Sequence, residues 1–173
     1  TYKGDTIVSA GTLKLTGSLT AGAAAQDSGK LIIDGASIAG AVANSASVEF
    51  NSGTISGAFT NNNTVAMTGG TLTGALNNTT TSTDARFEMT GGTITGNVAN
   101  AGFFDLKGGT IAAEDTSENA GFSNNGGVFN YYSGNIGSNI ANGDGTFNNY
   151  GTLETVAVSG GTLNNTEGAT IGS

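Results

Sequence analysis

The chain has no cysteine, histidine, proline or tryptophan, and only five of its 173 residues are basic. Without cysteine it falls outside the small disulfide-stapled secreted class, and zinc and iron–sulfur centres lose their usual ligands. Without histidine it has neither the commonest general base nor a Ser-His-Asp triad. Lys3, Lys14, Lys30, Arg86 and Lys107 against a net charge of -8 give no basic footprint for nucleic acid or an anionic membrane surface. No run is apolar enough to span a bilayer, and no initiator Met or leader opens the chain, as expected of a mature product or a piece of something larger.

What is present is glycine, 30 residues of it, with abundant Thr, Asn, Ser and Ala. The apolar residues are few but regularly placed. FEMTGGTITGNVAN at 87–100 is preceded by near-copies, VAMTGGTLTGALNN at 65–78 and VEFNSGTISGAFTN at 48–61. A recurring unit is the mark of a repeat architecture.

With the Ile or Leu that follows Gly-Gly-Thr as anchor, the series runs Leu19, Ile38, Ile55, Leu72, Ile94, Ile111, Ile136 and Leu163, and Leu153 is a further candidate. The closest spacing is 17 residues. Apolar residues fall seven and five positions before the anchor and four after it, as in Phe87, Met89 and Val98 around Ile94. A pair separated by one residue is a period-two strand with both side chains inward, and Thr93-Ile94-Thr95 is a second short strand around an inward anchor. Glycines two before and two after the anchor supply two corners. Six after it stands Asn, at Asn44, Asn61, Asn78, Asn100 and Asn142. Such a column serves the third corner, because Asn hydrogen-bonds backbone groups at a turn.

These features predict a single all-β domain over 1–173, a parallel β-helix with three short strands per rung and seven to eight rungs. A 17-residue rung is not a multiple of the hexapeptide expected of left-handed solenoids, so the right-handed form is preferred. Loops are expected near 79–85, 114–121 and 141–150.

MTGGTITGNVANAGFFDLKGGTI and GTFNNYGTLETVAVSGGTLNNTEGATI resemble the passenger regions of bacterial autotransporter and filamentous-haemagglutinin-type surface adhesins. The resemblance covers nearly the whole chain in style and implies an extracellular, outer-surface rod that mediates attachment or self-association. It further implies partners among other copies of the chain or host and matrix glycans and proteins, with no membrane insertion by this segment.

Candidate sites are sparse. Glu88 and Asp105 are expected outward on neighbouring rungs, where paired carboxylates could serve glycoside hydrolysis, but Arg86 and Lys107 beside them favour a surface ion-pair network. Asn142-Gly143-Asp144-Gly145 and the acidic loop with Glu114, Asp115 and Glu118 carry oxygen ligands for Ca²⁺ without any established calcium motif, so no cofactor is assigned. The outward pairs Thr71 with Thr73 and Thr93 with Thr95 resemble the surface of ice-binding solenoids. Phe103, Phe122, Tyr132 and Tyr150 are expected outside the inner columns and form the candidate interaction surface. The reading is therefore a non-catalytic structural adhesin segment mediating attachment or self-association, as in biofilm. The alternatives are a subunit of a surface filament or matrix fibre stacked end to end, or an ice- or polysaccharide-binding solenoid.

Overall fold

A computed structural model describes residues 5–19, 24–26, 28–79, 85–113, 121–154 and 158–172. Its described secondary structure is all β, and every strand pair is parallel. The chain winds into a β-solenoid of about eight turns with three faces.

The first face carries the paired inward residues. Its strands include Thr64–Met67, Arg86–Met89, Phe103–Leu106, Val128–Tyr131 and Thr146–Asn149, stacked in register so that Val65, Phe87, Phe104, Phe129 and Phe147 form one column. The second face is short, with Thr71–Leu72, Thr93–Ile94, Thr110–Ile111 and Asn135–Ile136 aligning the anchors. In two early tiers, Lys30–Ile38 and Ser47–Ile55, one strand runs through the corner from first face to second. The third face is a nine-stranded sheet in which Val42, Phe59, Leu76, Val98, Phe122, Ile140 and Val158 stack.

Period-two and anchor positions are the ones that close off from water: Phe87, Met89, Ile94 and Val98 are all at most 1% exposed. The core's spine is aromatic. Phe87 stacks on Phe104 at 5.0 Å between centroids, Phe104 meets Phe129 edge-on at 5.7 Å, and Phe129 meets Phe147 at 4.8 Å. Pairs of this geometry add about 0.5–1.5 kcal/mol each beyond the area they bury.

At the second corner a column of glycine lets successive tiers touch backbone to backbone. A Cβ on Gly57, Gly74 or Gly96 would lie 2.0–2.1 Å from the carbonyl oxygen of the glycine one tier below, so no larger residue fits.

The third corner is an asparagine ladder. The side-chain amide of Asn44 donates to the side-chain oxygen of Asn61, and the chain of bonds continues through Asn78, Asn100, Asn124 and Asn142, each link 2.7 Å. The second amide proton reaches a backbone carbonyl of the next tier, from Asn44 to Thr64 at 2.9 Å and from Asn78 to Phe103 at 2.9 Å. The side-chain oxygens of Asn44 and Asn61 also accept the backbone N–H two residues on, from Ala46 and Asn63, which fixes the turn. The members are at most 1% exposed, so this network satisfies polar groups where water cannot.

Four sequence expectations are corrected. Phe122 does not face outward beside a loop; it is fully buried and fills the third-face column above Val98. An insertion displaces both it and Asn124 from the four- and six-residue offsets, which is why the Asn column omitted Asn124. The stretch 141–150 is no loop, since Thr146–Asn149 pairs residue for residue with Val128–Tyr131. Leu163 is not an anchor, because it stacks on Phe147 in the first face, while Leu153 pairs with Ile171 in the second. Gly160-Gly161 turns the third corner here instead of the first, so Gly-Gly-Thr-Leu occurs in a different place on the rung. The expected loops at 79–85 and 114–121 lie mostly outside the described residues, as do Glu114, Asp115 and Glu118 of the acidic loop.

Candidate functional surface

Strand alternation on the first face sends residues 103, 105 and 107 outward in one tier and 128, 130 and 132 in the next. The outer side of this face therefore gathers most of the chemistry-bearing residues. Glu88 and Asp105 are register partners, but each is claimed by a cation. Arg86 reaches Asp105 at 2.5 Å and Lys107 reaches Glu88 at 2.7 Å. Asp105 is not solvated as expected: it is 3% exposed, covered where Arg86 bonds one carboxylate oxygen and the Asn130 amide donates to the other at 2.6 Å. From there an outer ladder continues, Asn148 donating to Asn130 and Asn164 to Asn148.

Lys14 with Asp34 and Lys30 with Glu49 repeat the cross-tier pairing lower on the same face. Lys14, with Ser52 as a second donor, holds the Asp34 carboxyl below its ordinary value, and the Glu88 partner raises Lys107. The three pairs of Lys14, Lys30 and Lys107 are solvent-exposed and of the modest kind, whereas the Arg86 pair closes over a buried carboxylate.

The aromatic residues stand among these pairs. Phe103 is 37% exposed, and the Arg86 guanidinium lies 5.4 Å from its ring centre. Tyr132 and Tyr150 stack face to face at 4.8 Å and 10°, and Lys107 approaches the Tyr132 ring at 5.9 Å. They are 41% and 45% exposed. Thus three of the four aromatic residues singled out share one outer surface, and Phe122 is absent from it. The chain matches no family model, no curated protein and no solved structure.

Of the calcium candidates within the described residues, Asn142 is committed to the ladder: its oxygen accepts from Asn124 and its amide donates to Thr162. Among the described residues no three acidic side chains converge. The outward Thr pairs of the second face do line up, Thr71 over Thr54 and under Thr93, and Thr110 above. The column changes to Asn135 in the next tier.

The outer Asn ladder and the burial of Asp105 were not foreseen from sequence. The signal available was the alternation of Asn130 and Asn148 with inward Phe129 and Phe147, which places the two amides in one outward column.

Proposed function

We propose that this chain is a non-catalytic structural segment of an extracellular surface adhesin, and that it mediates attachment or self-association. The observation that carries the reading is the aromatic cluster on a rigid sheet: Phe103, Tyr132 and Tyr150 stand exposed on the outer side of the first face, held by Arg86 and Lys107. Aromatic rings with a cationic rim are what sugars and other protein surfaces bind, and ordering them in advance lowers the entropic cost of binding. Resemblance to autotransporter passengers supports an outer-surface location. Partners of this kind are other copies of the chain, or glycans and proteins of a host or matrix.

Display of the chain on bacterial cells tests this. Clumping or attachment above that of cells carrying an empty display scaffold supports the reading; cells that neither clump nor bind any member of a glycan and matrix-protein array contradict it.

A second reading, a filament subunit stacked end to end, is favoured by one observation: like tiers stack as in-register parallel strands, a pattern that a further copy could continue. Polymers of the purified chain seen by electron microscopy would support it, and a monomer at all concentrations would exclude it.

A further inference from the structure

The second face has a break. In paired tiers the residue before the anchor donates its N–H to the glycine carbonyl of the tier below, as Thr110 does to Gly92 and Asn135 to Gly109. The residue after the anchor donates to the anchor below, as Ala112 does to Ile94 and Gly137 to Ile111. Between Asn135–Ile136 and Thr152–Leu153 neither bond forms, although the first and third faces stay paired on either side, Tyr131 with Asn149 and Ile140 with Val158. Above the break the ladder resumes, Thr170 donating to Gly151 and Gly172 to Leu153.

Tyr131 is the wedge. It occupies the column held in lower tiers by Met67, Met89 and Leu106, and its longer side chain carries the hydroxyl into the missing ladder. That hydroxyl lies 3.0 Å from the carbonyl oxygens of both Gly134 and Thr152 and can donate its proton to either. The opening left behind is a cavity of about 600 Å³ lined by Tyr131 and by residues 134–136 and 152–154, within the ~300–1,000 Å³ usual for ligand sites. On its upper lip the N–H groups of Thr152 and Glu154 lack partners among the described residues, and on its lower lip so does the carbonyl of Ile136. Ile136 is half-buried and Thr152 and Glu154 are exposed, so water serves these groups in the free chain and an unpaired strand edge is left open to another chain. Glu154 adds a carboxylate with no ion-pair partner among the described residues, and its charge is felt at Tyr131, whose hydroxyl burial and that charge together push up in pKa.

We propose that this opening binds a short extended peptide from a partner protein, added as a parallel strand, with a basic side chain beside Glu154. The donors stand two residues apart, about 6.6 Å along a strand, which is the peptide's own period. An inserted strand donates to the Ile136 carbonyl and accepts from Thr152 and Glu154, completing the ladder by strand addition. A sugar could meet these groups singly, but it has no such period. The inference stands independently of the adhesin reading.

The test is a ¹⁵N NMR titration of the full chain with an acetylated, amidated Val-Lys-Val tripeptide, its backbone N-methylated form, Val-Val-Val and maltose. Val-Lys-Val is expected to shift the Thr152 and Glu154 amides and slow their exchange, while leaving Thr93 and Thr110 unmoved and being matched by neither the N-methylated form nor maltose. Glu154→Gln is expected to weaken Val-Lys-Val about two- to fivefold and leave Val-Val-Val unchanged. No shift with any peptide, equal shifts with the N-methylated form, or shifts with maltose alone would overturn the strand-addition site. Equal weakening of both peptides by Glu154→Gln would overturn the preference for a basic side chain.

Discussion

Asn100 donates its side-chain amide to the side-chain oxygen of Asn124 at 2.7 Å, across 24 positions of sequence, with both side chains buried. Truncation at this point does more than remove one bond. It strands the Asn78 amide below and the Asn124 oxygen above in a site closed to water. Asn100→Ala is expected to destabilise by about 2–4 kcal/mol, since each orphaned buried group costs about 1–3 kcal/mol. Asn164→Ala, on the exposed outer ladder where it donates to Asn148, is expected to cost under about 1 kcal/mol. Chemical denaturation of the two variants checks the contrast; similar losses would mean that the buried ladder is no more than a surface network.

Inward and outward neighbours on the second face should differ sharply. Ile94 is fully buried and Thr95 is exposed. Ile94→Asp places an unpaired charge in the core and is expected to abolish cooperative folding, whereas Thr95→Asp is expected to change stability by about 0.5 kcal/mol or less. Circular dichroism melts decide it, and equal tolerance would refute the register.

The glycine column predicts a clash that no rotamer can relieve. Gly96→Ala puts a methyl 2.0 Å from the Gly74 carbonyl oxygen, so tiers must part at that corner. The loss expected is about 3 kcal/mol or more, against a gain of about 0.4–1 kcal/mol for such a substitution where the space is open. Thermal unfolding of the variant measures this directly.

Alkali should loosen the structure through Tyr131 and Lys107. Burial and the nearby Glu154 raise Tyr131 above its ordinary 10.0, so the folded state favours the neutral phenol. That contribution is whole below the unfolded value and is lost as pH rises through the folded one. Lys107, raised from 10.5 chiefly by its bond to Glu88, loses its contribution in the same direction. Asp34, lowered from 3.8 by Lys14, contributes on the acid side, where protection fades as pH falls below that value. Denaturant midpoints should therefore drop above about pH 10, and Tyr131→Phe should flatten that drop. An unchanged alkaline slope in the variant would show that the phenol is not the group responsible.

The solenoid was legible because its physics is periodic. Inward apolar residues recur wherever a rung closes, and Gly and Asn recur wherever the chain must turn, so Phe87 to Asn100 alone specifies three strands and their corners. Legibility failed where the period is interrupted. Phe122 and Asn124 follow an insertion that moves them out of the counted offsets while the structure restores them to the same columns. Leu163 follows Gly-Gly-Thr, but Val158 pairs with Ile140, which puts those glycines at the third corner, one corner earlier than the repeat implies. The break beside Tyr131 is a matter of side-chain length in an inward column, invisible to a pattern that scores Tyr and Leu alike. The surface was only partly readable: alternation placed Phe103 and Tyr132 outward, yet the burial of Asp105 depends on Asn130 and Arg86 closing over it.

On the proposed function the rod is a scaffold and its interactions reside in the outward aromatic cluster. The most direct measurement compares cells displaying the native chain with cells displaying a Phe103→Ser, Tyr132→Ser, Tyr150→Ser variant, matched for surface amount and melting temperature. The variant, still folded, is expected to lose most of the clumping or attachment of the native chain. Undiminished clumping or attachment by the folded variant would contradict it.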